Sequence, residues 1–217
     1  MNEKNPYPAL LWLQGKRACV IGGGHIALHR VEGLLNGGAE VCVVAPKIGE
    51  GMGTLVEEGR VRWEQKPFSA SLLPGVSFVV CATDDPDVNR QAAWAAKAMG
   101  ALVNMAAPPL ELSDFTVPAS VRRGDLLFAA STGGACPELS RRLRGELERL
   151  ADVYEPWLER LVPIRAEMKH KLSSSEERKV FWREALSEET MALVRSGEIE
   201  KAEELVKNAV DRSGAES

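Results

Sequence analysis

Hydrophobic and polar positions follow two alternating patterns along the first half of the chain. Short, continuous apolar runs alternate with stretches in which apolar residues recur every three or four positions. The runs are typical of strands buried on both faces, and the stretches are typical of amphipathic helices. Strands are predicted at residues 18–21, 41–45, 61–63, 76–83 and 101–105, and helices at 26–35, 53–59 and 87–99, the last with Asp87 as its N-cap.

This alternation predicts an α/β fold with a Rossmann-type, doubly wound parallel sheet. The pattern changes after Ala107, where Pro108-Pro109 interrupts it. Strands at 115–121 and 126–131 predict a hairpin, and a helix is predicted from Pro137 to about Leu150. Only helical patterns follow. We therefore predict a dinucleotide-binding Rossmann domain over 1–107, a small α+β dimerisation and substrate domain over 108–150, and a helical domain over 151–217.

Composition and charge exclude several classes of protein. The 217 residues are 45% hydrophobic and carry a net charge of -4, which is ordinary for a globular chain and gives no basic surplus for nucleic acid. No apolar stretch is long enough for a membrane span, and residues 1–8 lack an apolar signal core. The four cysteines form no CxxC motif, and three lie in predicted strands, so we expect reduced thiols in a cytoplasmic protein: Cys19, Cys42, Cys81 and Cys136.

A glycine-rich turn follows the first predicted strand. Gly22, Gly24 and Ala27 match the GxGxxG/A spacing between a strand and a helix. In such turns, small residues let a pyrophosphate approach the backbone and the first N–H groups of the helix. Dinucleotide binding is predicted, the alternative being a turn that serves only packing. The residues assigned to the cofactor are Gly22, Gly23, Gly24, His25 and Ile26.

The end of the second predicted strand lacks the acidic residue of this fingerprint. Such a residue normally bonds the ribose hydroxyls, whereas this chain has Ala45, Pro46 and Lys47. We assign these three residues to the cofactor site. Since Lys47 can accept a 2′-phosphate, the motif by itself leaves NAD and NADP open.

Polar residues also end the next two strands. Thr83 and Asp84 follow one strand, and Asn104 lies at the end of the other. Ligands of open parallel sheets bind at the carboxyl edge of the strands, so these three side chains are predicted to contact the cofactor. The alternative for the Thr83–Asp84 segment is a polar turn that caps the next helix through Asp85 or Asp87.

A second stretch of small residues precedes the helix at Pro137. Ser131, Thr132 and Gly133 lead into this helix, which carries Arg141 and Arg142. Guanidinium groups bind carboxylates through paired hydrogen bonds, so these five residues are predicted to bind an anionic substrate. The alternative is a solvated helix face. No spacing of His, Cys, Asp or Glu predicts a metal site.

The motifs in this order resemble the precorrin-2 dehydrogenase family, which includes the N-terminal half of bifunctional sirohaem synthases. The matching segments are residues 15–46, 82–90, 103–105, 114–119 and 131–144. The resemblance implies a Rossmann domain, a dimerisation domain and a helical domain in an intertwined homodimer. It also implies NAD⁺-dependent oxidation of precorrin-2, a tetrapyrrole, to sirohydrochlorin in sirohaem biosynthesis.

This chain departs from the family pattern after the predicted strand at 101–105. Many members have an aspartate, the proposed general base, where this sequence has Ala107. Asp114 is the next candidate base, and the alternative is that orientation of the reactants and solvent suffice. The resemblance adds one alternative, a dehydrogenase that also inserts iron into sirohydrochlorin, because some members of the family do so. The missing aspartate motivates another, a non-catalytic module that binds NAD or a tetrapyrrole.

Overall fold

The computed structural model describes residues 6–215, with side chains as far as residue 211. Contacts within the chain divide it into two compact units, Met1–Val117 and Pro118–Ser217. Each unit is described by itself. No helix among the described residues is both long enough and apolar enough to cross a membrane.

The first unit is a parallel sheet of five strands flanked by three helices. The strand order β3-β2-β1-β4-β5 is that of the first five strands of the Rossmann sheet, which confirms the predicted fold class. The strands are β1 (Arg17–Ile21), β2 (Glu40–Val44), β3 (Val61–Glu64), β4 (Phe78–Cys81) and β5 (Leu102–Met105). The helices are α1 (His25–Asn36), α2 (Glu50–Glu57) and α3 (Pro86–Ala98), and a short 3-10 helix spans Ala70–Leu72.

The strands of this sheet end level with one another. Ile21 pairs with Val44 on one side and Cys81 on the other, and Cys81 pairs with Met105. Two apolar clusters cover the two faces, one including Val31 of α1 and the other including Ala93 of α3. Because all strands run in the same direction, the loops that follow them meet along one edge.

Two helix boundaries differ from the prediction. Helix α2 covers Glu50–Glu57 rather than 53–59. Helix α3 begins at Pro86, and its N-cap is Asp85 rather than Asp87. The Asp85 carboxylate accepts hydrogen bonds from Asp87 N at 2.9 Å and Val88 N at 3.2 Å. Proline suits the first helical position because its missing N–H would have no partner there, so the cap lies one residue before it.

The segment after β5 belongs to the first unit. It contains a 3-10 helix at Leu110–Leu112, and the Phe115 ring packs edge-on against Phe78 at 6.2 Å. The strand predicted to begin at 115 therefore begins only at Ala119. The structure divides the chain after Val117, whereas the sequence predicts a boundary after Ala107.

The second unit combines a hairpin with four helices. Strands β6 (Ala119–Arg123) and β7 (Leu126–Ala130) pair antiparallel, as predicted, and α4 covers Pro137–Lys171. The prediction that α4 ends near Leu150 is wrong. Its buried face continues with Trp157, Ile164 and Met168, so packing extends the helix past Pro156 and Pro163. The predicted domain boundary at 150/151 lies inside this one helix.

The remaining helices pack with α4 around one apolar cluster. They are α5 (Ser175–Ala185), α6 (Glu188–Arg195) and α7 (Ile199–Ala215). Phe181, Val194 and Val206 are buried in this cluster beside Trp157 and Met168. A capping box begins α5: Glu177 N donates to Ser174 Oγ at 3.1 Å, and Ser174 N donates to the Glu177 carboxylate at 3.2 Å.

Candidate functional site

The turn between β1 and α1 lies against the loops that follow β2 and β4. Gly22 has a φ of 125°, and a Cβ at this position would lie 2.5 Å from the carbonyl oxygen of Ala82. A Cβ on Gly23 would lie 2.2 Å from the carbonyl oxygen of Lys47. Neither position accommodates a side chain, so both glycines are required for this close approach of three loops.

Gly24, in contrast, borders open space. A Cβ on Gly24 would have no atom within 4 Å, and its φ of -84° suits any residue. Gly24 is the N-cap of α1, but no side chain caps this helix and its first turn contains no acidic residue. The first helical hydrogen bond is from Leu28 N to Gly24 O, at 3.0 Å. The N–H groups of the first turn are therefore available to a ligand.

A pyrophosphate fits this arrangement. The free N–H groups and the positive end of the α1 dipole attract anions, and the absent side chain at Gly24 leaves room for one. His25 and Ile26 occupy the first two helical positions and are both exposed. The His25 ring packs edge-on against His29 at 4.4 Å. The structure thus brings together the five residues predicted in this turn.

The residues after β2 border the same turn. Ala45 is buried, and its carbonyl oxygen accepts a hydrogen bond from Trp63 Nε1 at 2.9 Å. Pro46 and Lys47 are exposed. Gly49 N donates to Gly23 O at 3.0 Å, which fastens this loop to the glycine turn. All three residues predicted here therefore belong to the loop that is packed against Gly23.

The hydroxyl of Thr83 is engaged within its own turn. It lies 2.9 Å from Asp85 O and 2.8 Å from Asn89 Oδ1, and it accepts a hydrogen bond from Asp85 N at 3.2 Å. These bonds, with the Asp85 cap on α3, match the polar-turn alternative. Asp84 is exposed at the carboxyl edge. Contact of Thr83 or Asp84 with a cofactor stays a prediction.

Asn89 organises this edge, and the sequence analysis missed it. It is 1% exposed and accepts hydrogen bonds from Thr83 N (3.1 Å) and the Thr83 hydroxyl. Its amide group donates to Thr83 O and to Pro108 O, both at 2.9 Å. It thereby joins the turn after β4 to the segment after β5. The available signal was a polar residue on the apolar face of α3, which also buries Ala92, Ala93 and Ala96.

Asn104 is directed into the protein. It is 2% exposed, its Nδ2 donates to Phe115 O at 3.0 Å, and its Oδ1 has no partner among the described residues. Contact of Asn104 with a cofactor would need a change in this packing, and it also stays a prediction.

Both carboxylate oxygens of Asp114 have partners. Oδ1 pairs with Lys97 Nζ of α3, and Oδ2 accepts a hydrogen bond from Val103 N at 2.9 Å. Val103 lies two residues before Met105, the last residue of β5. These bonds hold the segment after β5 against the sheet, so the Asp114 carboxylate has a structural role.

The predicted anion-binding residues of the second unit form the turn before α4. The Thr132 hydroxyl accepts from Cys136 N at 3.3 Å and lies 3.0 Å from Ser140 Oγ, while Gly133 N donates to Ser131 Oγ at 3.2 Å. One turn into α4, Arg141 and Arg142 both pair with the Glu138 carboxylate. The distance from Arg142 Nε to Glu138 Oε1 is 3.6 Å. Their side chains are 76% and 77% exposed, so both are accessible from solvent.

Among the residues that the structure describes, no group of three or more His, Cys, Asp or Glu side chains is arranged to hold a metal ion.

Known proteins share this architecture. The family model described as putative NAD(P)-binding matches residues 9–119. A solved precorrin-2 dehydrogenase, SirC, is 30% identical to this chain, with a TM-score of 0.74, and the match covers 95% of this chain and 100% of SirC. The chain belongs to the precorrin-2 dehydrogenase family. Members of this family differ in length, as the curated relatives illustrate.

The sirohaem synthase of Nitrosococcus oceani is 33% identical over 205 residues, or 94% of this precorrin-2 dehydrogenase-family chain. That of Methylobacillus flagellatus is 33% identical over 208 residues, or 95% of the chain. The chain spans 44% of the length of each relative. A second model, the sirohaem synthase dimerisation region, matches residues 154–210. This match falls in the segment predicted to be the helical domain, and the assignment of dimerisation to 108–150 stays a prediction.

Proposed function

We propose that this chain catalyses the NAD⁺-dependent oxidation of precorrin-2 to sirohydrochlorin. The observation that carries the proposal is the uncapped start of α1, with open space at Gly24, in a chain that matches the whole of SirC. Precorrin-2 dehydrogenase is the activity in the name of that relative. The curated relatives of twice this length support the same pathway, since they are sirohaem synthases.

The first turn of α1 would hold the pyrophosphate of the dinucleotide. Gly22 and Gly23 keep the turn close to the loops after β4 and β2, and Gly24 leaves the approach open. When bound, the nicotinamide supplies the acceptor for the hydride that leaves the tetrapyrrole. The task of the protein is then to hold the two reactants in register and to exclude other acceptors.

The oxidation also releases a proton, and we propose that solvent accepts it. Ala107 offers no base at the position where the family pattern has an aspartate. Asp114, the other candidate, already accepts bonds from Lys97 and Val103 N. The missing carboxylate is consistent with a reaction in which alignment of substrate and cofactor provides most of the rate.

Replacing Asp114 with asparagine tests this assignment. If solvent is the acceptor, we expect kcat to change less than about threefold, because loss of a positioned base costs about 10²–10⁴-fold. We expect Tm to fall by a few degrees, since the pair with Lys97 is lost. A Lys97→Met variant is the control, because it removes the same pair but keeps the carboxylate. A large loss of kcat in Asp114→Asn alone would identify Asp114 as the base.

Arg141 and Arg142 are proposed to bind carboxylates of the substrate. They are exposed, and pairs between exposed charges contribute little stability, so Glu138 can release them at small cost. Precorrin-2 is a polycarboxylate, and guanidinium groups bind carboxylates through charge-assisted hydrogen bonds. Ser131, Thr132 and Gly133 would support this site through the turn that precedes α4.

Substitution of Arg141 or Arg142 is expected to weaken binding of the substrate and to leave binding of the cofactor unchanged. In Arg141→Ala and in Arg142→Ala, we expect KM for the tetrapyrrole to rise about tenfold, the effect of one lost charged hydrogen bond. The Kd for NAD⁺ should stay within twofold. Arg165→Ala is the matched control, because Arg165 is also exposed on α4 but lies farther along it. Unchanged KM in both variants would remove this site from the proposal.

We further propose that the active form is a homodimer. The match of residues 154–210 to a dimerisation region supports it. Light scattering of the purified chain should give twice the mass of one chain, and a monomeric mass at micromolar concentration would contradict the proposal.

The activity itself is tested with the full chain and freshly prepared precorrin-2. We expect NADH absorbance and sirohydrochlorin absorbance to rise together when NAD⁺ is present. Turnover no faster than the spontaneous oxidation would overturn the proposal, and NAD⁺ binding without turnover would identify a non-catalytic module. A separate incubation of sirohydrochlorin with Fe²⁺, without NAD⁺, measures whether the chain also inserts metal.

A further inference from the structure

The cofactor site lacks a carboxylate at the position that selects NAD⁺. In dinucleotide folds, an acidic residue about 20 residues after the last small residue of the glycine motif bonds the ribose 2′-hydroxyl. Such a carboxylate repels the 2′-phosphate of NADP⁺. Counted from Ala27, this position is occupied by Lys47, and the two residues before it are Ala45 and Pro46.

Glu64, at the end of the neighbouring strand, does not replace the missing carboxylate. Its neighbour Trp63 packs on the cluster that contains Val31 of α1, so Glu64 points to the opposite face of the sheet. There its carboxylate pairs with Lys66 at 2.9 Å and Arg62 at 3.6 Å. Lys66, through its hydrogen bond, lowers the pKa of Glu64 and keeps this carboxylate charged and engaged.

Lys47 lies beside the glycine turn with its charge available. Its carbonyl oxygen is the atom that a Cβ on Gly23 would meet at 2.2 Å, so the Lys47 backbone touches the turn. The Lys47 side chain is exposed, and among the described residues its ammonium group forms no ion pair. Glu50 follows at the start of α2 but forms no ion pair with Lys47.

We propose that Lys47 allows this site to bind NADP⁺ as well as NAD⁺, its ammonium group contacting the 2′-phosphate. The inference rests on the proposed function, because the glycine turn must first hold a dinucleotide. It extends that function by assigning the cofactor class of the site and the residue that determines it. The Kd of the wild-type chain for NADP⁺ is expected to lie within about tenfold of its Kd for NAD⁺.

The test is titration calorimetry of the full chain with NAD⁺ and with NADP⁺. Lys47→Ala should weaken NADP⁺ binding about tenfold, the effect of one charge-assisted contact, and change NAD⁺ binding less than twofold. Lys47→Asp should weaken NADP⁺ binding at least about 100-fold, since it adds repulsion, while NAD⁺ binding is kept or improved. Lys16→Ala is the control, because Lys16 is exposed just before β1, at the opposite edge of the sheet.

The binding results distinguish failure of NADP⁺ recognition by Lys47 from failure of the dinucleotide site as a whole. If NAD⁺ binds and NADP⁺ binds more than about tenfold more weakly, the inference is overturned and the proposed function stands. If NADP⁺ binds and Lys47→Ala and Lys16→Ala weaken it equally, Lys47 is not the determinant. If neither dinucleotide binds, both proposals fail.

Discussion

In the Gly24→Asp variant, NAD⁺ binding is expected to weaken at least about 100-fold while the protein stays folded. The new side chain would enter open space, since no atom lies within 4 Å of a Cβ at Gly24. Aspartate is a preferred N-cap, so its carboxylate would accept the free N–H groups of the first turn of α1. It would occupy the place proposed for the pyrophosphate and repel it, and loss of several charge-assisted hydrogen bonds accounts for the size of the effect.

The measurement pairs calorimetric titration with NAD⁺ and thermal unfolding. Tm should stay the same or rise slightly, because aspartate in place of glycine at an N-cap adds only roughly a few tenths of a kcal/mol. Gly33→Asp is the matched control: it adds the same charge to α1 at an exposed position with equal space, away from the helix start. Unchanged NAD⁺ affinity in Gly24→Asp would remove the glycine turn from the cofactor site. A large fall in Tm would instead show that Gly24 has a structural task.

The structure also shows why Gly24 is a better position than Gly22 for a substitution that blocks the cofactor site. From the motif alone, Gly22→Asp is the obvious blocking variant. However, Gly22 has a φ of 125°, and its Cβ would lie 2.5 Å from a backbone oxygen of Ala82. Such a variant would strain the fold itself, so a loss of binding would not distinguish a blocked site from a damaged one.

The sheet and its glycine turn were predictable because their signals are local. Strands buried on both faces require continuous apolar runs, and the turn requires small residues at fixed spacing. The end of α4 was not predictable in the same way. The helix continues past Leu150 because Trp157, Ile164 and Met168 pack on α5, α6 and α7, and this packing outweighs the two prolines inside it.

The polar parts of the candidate site depend on contacts between distant residues. The whole of β5 and the 3-10 helix at Leu110–Leu112 lie between Asp114 and its partner Lys97, and Phe115 accepts its hydrogen bond from Asn104. A sequence pattern assigns each of these residues to a strand end or a loop but does not give its partner. For this reason the Asp114 carboxylate could be proposed as a base from sequence, whereas its partners in the structure point to a structural task.

The largest loss of stability is expected from Asn89→Ala. Asn89 is 1% exposed, and its side chain bonds the N–H, hydroxyl and carbonyl groups of Thr83 and the carbonyl of Pro108. Truncation would leave several buried polar groups without partners, at about 1–3 kcal/mol for each group that water cannot reach. We expect a loss of about 3 kcal/mol and a fall in Tm of roughly 10 °C.

A graded series distinguishes this hydrogen-bond network from simple packing. Asn89→Asp keeps the acceptor for Thr83 N but loses both amide donors and places a charge in a buried site, so it should destabilise at least as much as alanine. Gln91→Ala, on the exposed face of α3, is the control and should shift Tm by less than about 2 °C. If Asn89→Ala lowered Tm no more than Gln91→Ala, Asn89 would not be what joins the turn after β4 to the segment after β5. If Asn89→Ala lowered Tm as expected, the shape of the carboxyl edge of the sheet would depend on the buried Asn89, which needs no contact with a ligand to have this effect.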